Sequence, residues 1–553
     1  MKKSSLIALF LIFALLLSAC GTAASVEPEQ TETVPGEQVP EETGEYTVTG
    51  AEYASSGADT GLNRVFYEIF VGSFSDSDGD GTGDIRGIIN RLDYLNDGDP
   101  DSGKSLGVEG LWLTPVYKSI SYHKYDVNDY YTIDPDFGTL EDLEELIRLC
   151  HERGMLIILD LPINHTGPVN QWFLNFKNAR KNGDTEDPYY DFYSCYDASV
   201  ESCPAGRSFS QIAGTDIYYE CNFSGDMPEL NYDNPAVRQA VLEVAKFYLD
   251  LGVDGFRFDA VKYIYYGDNA RSAEFWTWFM SELREIKPDI FTVGECWDSD
   301  GITDKYYPAL DCFNFTVSQA EGLIAQTANH GDVNRYTAYV SSYLDNISSL
   351  RDGAVFMPFV SNHDMDRAAG YLTVASGAMQ MAANLYILSP GAPFIYYGEE
   401  LGIRGSRGGA STDANRRLKM LWGDGDTVKD PSGSTYSSSN QIDTTAADQI
   451  KSSGSLYTYY KKLIMLRKAN PEIVLGEYTA LKLKDTKLGG FISEYGGNRV
   501  MVLHNTTIHT VTVDLSEITG SEFTVLAGTA GLEEASLSGS VLTLGGMTSV
   551  ILR

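Results

Sequence analysis

A chain of 553 residues with 41 basic and 77 acidic side chains carries a formal net charge of −36. That surface argues against nucleic acid or an anionic membrane as partner and fits a neutral ligand, with cations held by clustered carboxylates. The length exceeds what a single core organises, so more than one domain is expected.

At the N-terminus, Lys2 and Lys3 precede the apolar run LIALFLIFALLLSA, too short to span a bilayer but right for a signal-peptide core. The run ends in LSAC, which resembles the bacterial lipoprotein signal. That resemblance implies removal of residues 1–19 and a lipid on the Cys20 thiol. It places the protein on the outer face of a bacterial membrane, in contact with lipid only through that anchor; an ordinary secretory signal is the alternative. Residues 21–59 hold nine acidic side chains and no Lys or Arg. Segment 20–59 therefore reads as a solvated tether that buries too little surface to fold. Six cysteines remain beyond Cys20, and no CxxC or Cys/His spacing suggests zinc.

From residue 64 apolar runs alternate with helical patterns, as in repeated βα units. The expected strands are RVFYEIFVGSF, GVEGLWLTPV, MLIILDLPIN, VDGFRFDAV, IFTVGECW, LDCFNFTV, AVFMPFVSNHD and GAPFIYYGEEL. Between the first two lies DSDGDGTGD (76–84), with acids at alternate positions among glycines, a pattern that folds around a hard cation. An EF-hand needs Glu at its twelfth position, where Gly87 stands, so that motif is excluded. One helix is expected from a Thr139–Asp142 capping box to Gly154, another from cap Asn234 and Pro235 to Gly252. Between His165 and Asn231 the βα pattern lapses, and after about residue 470 only short strands and turns remain.

Eight strands with crossover helices close most economically as a (β/α)8 barrel, whose C-terminal strand ends converge on one mouth. Asp160, Asn164 and His165 end the third run, Arg257 and Asp259 the fourth, Glu295 the fifth, and Asn362, His363 and Asp364 the seventh. Arg257 and Asp259 share one face of their strand, by its period of two, and point into that mouth.

DLPINH, GFRFDAVKY, GECW and FVSNHD, in that order, resemble the signature blocks of the α-amylase superfamily, glycoside hydrolase family 13. GLWLTPVYKS, GAPFIYYGEELG and MPELNYDNP resemble further blocks, and the likeness covers about residues 62–470. It implies a TIM barrel over 60–165 and 232–470, an inserted domain B over 166–231 and a C-terminal antiparallel β-sandwich over 471–553. It also implies Asp259 as nucleophile, Glu295 as acid/base and Asp364 as the third acid that binds the distorted sugar. His123, Tyr125, Asp126, His165, Arg257, Lys262 and His363 fall at substrate-contact positions. The acidic loop is similar to the calcium loop of oligo-1,6-glucosidases, which implies structural Ca2+ on Asp76, Asp78, Asp80, Asp84 and the carbonyl of Thr82. Residue physics points the same way for the acids: Arg257 favours ionised Asp259, whereas neighbouring negative charge keeps Glu295 protonated. The expected function is a monomeric, retaining, endo-acting α-glucan hydrolase cutting α-1,4 bonds. The alternatives are an oligo-α-glucosidase, neopullulanase or glucanotransferase, and, in another class, a non-catalytic glucan-binding lipoprotein.

Overall fold

The computed structural model describes residues 46–50, 58–196, 203–408, 412–519, 523–532 and 535–553. The expected signal segment, Cys20 and most of the tether lie outside these residues. Among them no helix is long and apolar enough to cross a membrane.

Seven parallel strands form one sheet in the order Asp311–Cys312, Phe291–Gly294, Gly255–Phe258, Leu156–Leu161, Gly110–Leu113, Phe66–Ile69 and Phe394–Tyr396. Parallel bridges Phe313↔Met357 and Phe359↔Phe394 insert the run around residue 357 between the two edges and close the cylinder. The N–H of Asn314 donates to Met357 O at 3.1 Å and that of Phe394 to Pro358 O at 3.0 Å. Pro358 has no N–H, so this eighth staple is made of single bridges and not of the continuous strand expected over 354–364. The fold is a (β/α)8 barrel.

The strand Gly255–Phe258 shows the alternation that the sequence implies. Phe258 packs outward against Trp276, ring centroids 4.8 Å apart, while Arg257 lies wholly buried inside the barrel, its guanidinium 5.4 Å from the Trp112 ring. A side chain on Gly255 would place its Cβ 1.7 Å from Phe291 O, so glycine permits the close approach of this strand to the next. Phe66, Trp112, Phe291, Phe313 and Phe394 fill the barrel interior below Arg257. The helix Leu140–Glu152 opens on the expected capping box and Pro235–Asp250 on the expected Asn234 cap. Gly154 (φ 71°) and Gly252 (φ 103°) end them in left-handed backbone.

Between the third and fourth barrel strands lie a helix, Gln171–Asn182, and a small antiparallel sheet of Cys195–Tyr196, Tyr218–Glu220 and Phe209–Gln211. The helix lies in the stretch where the βα pattern of the sequence lapses. Its signals are local: Asn170 caps the Trp172 N–H, and Gly183 closes the other end at φ 64°.

At the C-terminal end a six-stranded antiparallel sheet packs with a three-stranded one around Met501, Leu503, Leu542, Leu544 and Val550. Here the structure corrects the tether. Thr47–Thr49 is the edge strand of the larger sheet, paired antiparallel with residues 529–531. Val48 is buried, and the β-branched run TVT suits a half-buried edge in spite of its acidic surroundings. Val48→Asp is expected to destabilise the protein by about 2 kcal/mol, read as a lower Tm in calorimetry, because it puts a carboxylate where a valine is buried. An unchanged Tm would mean that the strand adds nothing to the sheet.

Candidate active site

One guanidinium organises the mouth. Asp160 and Arg257 are direct neighbours across the parallel ladder, so their side chains enter the barrel at one level. Arg257 Nη1 donates to Asp160 Oδ1 and Oδ2 (2.8 and 3.0 Å) and to Asp259 Oδ1 (2.7 Å). Its Nη2 lies 3.1 Å from Glu295 Oε2. Glu295 Oε2 also accepts the Ala260 N–H at 3.1 Å, from a backbone held at φ 52° just past Asp259. Acids from three successive strand ends thus share one cation.

A second cluster adjoins the first. The Tyr125 hydroxyl donates to Asp160 Oδ2 (2.8 Å) and accepts from His363 Nε2 (2.7 Å). His363 Nδ1 donates to Glu68 Oε1 at 2.6 Å, and its Nε2 lies 3.0 Å from Asp364 Oδ2. Arg417 Nη2 donates to Asp364 Oδ1 at 2.6 Å, its Nη1 to the Tyr122 hydroxyl at 3.0 Å. Glu295, Arg257, Asp160, Tyr125, His363, Asp364 and Arg417 form one continuous network.

Of the other expected contacts, His123, Tyr125 and His165 come to this mouth. His123 Nδ1 accepts the Tyr125 N–H at 3.2 Å, and among the described residues no hydrogen bond reaches its Nε2. His165 Nε2 is buried with no hydrogen-bond partner. Lys262 sits on the rim, where Nζ donates to Trp297 O (2.7 Å) and Asp298 Oδ2 (2.9 Å). Asp126 departs from expectation. Its carboxylate is buried and accepts from the Ser119 and Ser121 hydroxyls and the Ile120 and Ser121 N–H groups, so it staples its own loop and does not face substrate. In that loop Lys124 takes φ 63° and pairs with Asp134 (2.9 Å), which fixes the turn that presents His123 and Tyr125. Glu68, Arg417 and Tyr122 are participants that the sequence reading missed. Glu68 is a lone acid in an apolar strand, the same signal that exposed Arg257; Arg417 lies in an irregular loop with no periodicity to betray it.

The environments separate the ionisable groups. Burial raises the Asp259 carboxyl to about 6 against the opposing pull of Arg257, so the expected dominance of Arg257 is reversed by desolvation. Burial also raises Glu295, and the charges of Asp259 and Asp364 add to the effect. His363 moves the other way for an imidazole in a core. Burial would lower it, but Asp364 and Glu68 overcome that and raise it to about 10. Asp364 is held well below the usual range by His363 and Arg417 in spite of its burial. Burial lowers His123 and His165 to about 4, which leaves both neutral at pH 7.

The acidic loop gathers fewer ligands than expected. Asp76, Asp78 and Asp84 bring one oxygen each within 4.8 Å of the others. Asp80 is exposed and stays outside, its Oδ1 accepting the Thr82 N–H at 2.6 Å in a tight local turn. Three converging carboxylates are a donor set that suits a hard divalent cation.

A carboxylate held by Arg257 beside a second carboxyl group whose charged form burial disfavours, both at the mouth of a barrel, is the equipment of a double displacement at an acetal carbon. One acid attacks while the other protonates the leaving oxygen. Consumption of the first charge then lowers the second acid's pKa, so that it can take a proton from water.

Comparison with known proteins agrees. The family profile described as "Alpha amylase, catalytic domain" matches residues 68–476. "Alpha-amylase 3" of Dictyoglomus thermophilum is 36% identical over 453 residues, spanning 80% of this chain and 84% of that protein. "Oligo-1,6-glucosidase" of Parageobacillus thermoglucosidasius is 30% identical, spanning 80% and 89%. The solved structure "Eubacterium rectale Amy13B" superposes with a TM-score of 0.82 at 32% identity, covering 91% of this chain and 97% of that one.

If Asp259 must be ionised and Glu295 protonated, kcat/KM rises through about pH 6 and falls again at higher pH as Glu295 loses its proton. Arg257→Met removes the charge that opposes desolvation and is expected to move the acid limb upward. A profile with no inflection between about pH 5 and 7 contradicts these roles.

Proposed function

We propose, for a chain that belongs to the alpha-amylase family of glycoside hydrolases, an endo-acting enzyme that cleaves α-1,4 bonds of starch-like glucans with retention. The observation that carries this reading is the single network joining Asp259, Glu295 and Asp364 through Arg257, Tyr125 and His363. Asp259 is the nucleophile and Glu295 the acid/base. Asp364, held ionised between His363 and Arg417, accepts hydroxyl protons of the sugar being distorted. His165 Nε2 and His123 Nε2 supply neutral nitrogens toward that sugar, and the Tyr125 ring stacks on it.

A cavity of about 260 Å³ continues from Asp364 past Trp297, Gln319, Glu321, Tyr371 and Arg416. Trp297 is 39% exposed there and stacks on Phe315, which offers a ready platform for a further sugar of a polymer. A lipid on Cys20 at the outer face of a bacterial membrane suits an enzyme acting on a substrate too large to import. Calcium on Asp76, Asp78 and Asp84 ties the loop after the first barrel strand and takes no part in the chemistry.

Product profiles on amylose, pullulan and isomaltose test the specificity. Internal cleavage of amylose to a spread of maltooligosaccharides with α-anomeric products is expected; release of glucose alone, transfer without hydrolysis, or attack on isomaltose in preference overturns it. Asp259→Asn and Glu295→Gln are each expected to lower kcat on amylose by about 10³-fold or more. A chelator is expected to lower Tm and leave the acid limb of the pH profile in place, with Ca2+ restoring Tm; no change in Tm removes calcium from the account.

A further inference from the structure

Away from the catalytic network, the hairpin of Tyr117–Ser119 and Val127–Ile133 meets the loop that leads into the helix Gln171–Asn182. Between them lies an open cavity of about 380 Å³. That volume falls within the range of about 300–1,000 Å³ usual for ligand sites. Its lining combines aromatic surface with hydrogen-bonded polar groups and a few donors that meet no acceptor among the described residues. Tyr131 is 44% exposed and Val169 51%. Trp172, packed 5.5 Å from Tyr130, also lines the cavity, and no acceptor among the described residues meets its indole N–H. Asn128 uses Oδ1 to accept the Val169 N–H at 3.1 Å, and among the described residues its NH₂ group meets no acceptor. The exposed Lys118 forms no ion pair among the described residues, although Asp129 is its partner across the hairpin.

This chemistry selects among ligands. One lysine against Asp129 gives no net field for an anion or a cation. Aromatic faces beside amide and indole donors fit the C–H faces and hydroxyl rims of a neutral sugar. The pocket shares no residue with the catalytic network, yet it is anchored to it: the Tyr130 hydroxyl donates to Pro162 O at 2.7 Å and to His165 O at 3.2 Å. We propose that this cleft is a second, non-catalytic carbohydrate site that holds a segment of an α-glucan chain. The ligand class rests on the hydrolase reading; the presence of a sugar site rests on the cavity.

Affinity electrophoresis through gels with and without glycogen tests this, with Glu295→Gln as the background so that the polymer survives. The Glu295→Gln protein is expected to be retarded by glycogen, and addition of Tyr131→Ala or Trp172→Ala to weaken the apparent affinity at least fivefold. Tyr131 is exposed, so its variant keeps the test clear of any folding defect that Trp172→Ala brings, and a melting curve checks both. In active protein the ratio of kcat/KM on glycogen to that on a short maltooligosaccharide is expected to fall. Unchanged retardation in Tyr131→Ala with an unchanged ratio overturns the second site. Absence of any retardation of the Glu295→Gln protein also overturns it, while the product profiles still decide the hydrolase reading on their own.

Discussion

A guanidinium buried without solvent is tenable only if hydrogen-bond acceptors surround it, and at the mouth of this barrel those acceptors are carboxylates. Arg257 is fully enclosed and is met by Asp160, Asp259 and Glu295. Removal of Arg257 would leave these carboxylates uncompensated in a medium of low polarity. The cation therefore draws the acids of neighbouring strands to one point, and the parallel register of Asp160 with Arg257 makes this geometrically available. The same enclosure supplies the reactivity. Desolvation raises both Asp259 and Glu295, Arg257 opposes the rise in each, and the negative charge of Asp364 adds to it in each.

The second cluster has the opposite design. His363 and Arg417 hold Asp364 ionised, so the third acid remains an acceptor at every pH at which the first two change state. Tyr125 joins the halves because its hydroxyl can donate to Asp160 and accept from His363 at the same time. A change of charge in either half therefore acts on the other through this shared hydroxyl.

Much of this was legible in the sequence, and the reasons differ by residue. Arg257 and Asp259 stood out because charge on the inner face of a strand is costly without a purpose; Glu68 obeys the same rule, a single acid among apolar neighbours. Asp126 misled because its position resembles a substrate contact, whereas four local donors consume its carboxylate. Arg417 reaches Asp364 from 53 positions away along an irregular loop, where no periodicity marks an inward side chain. The barrel was readable from alternating apolar runs, except where Pro358 breaks the ladder into bridges. Thr47–Thr49 escaped because composition averaged over an acidic segment hides three β-prone residues whose partner lies 480 positions later.

The central claim is that Asp259 attacks the sugar while Glu295 donates the proton. The most direct measurement is mass spectrometry of protein treated with a fluorinated maltosyl fluoride, a substrate whose glycosyl-enzyme forms faster than it hydrolyses. A single glycosyl adduct on the peptide carrying Asp259 is the predicted result. An adduct on Glu295 or Asp364, or turnover with inversion and no adduct, would contradict the account.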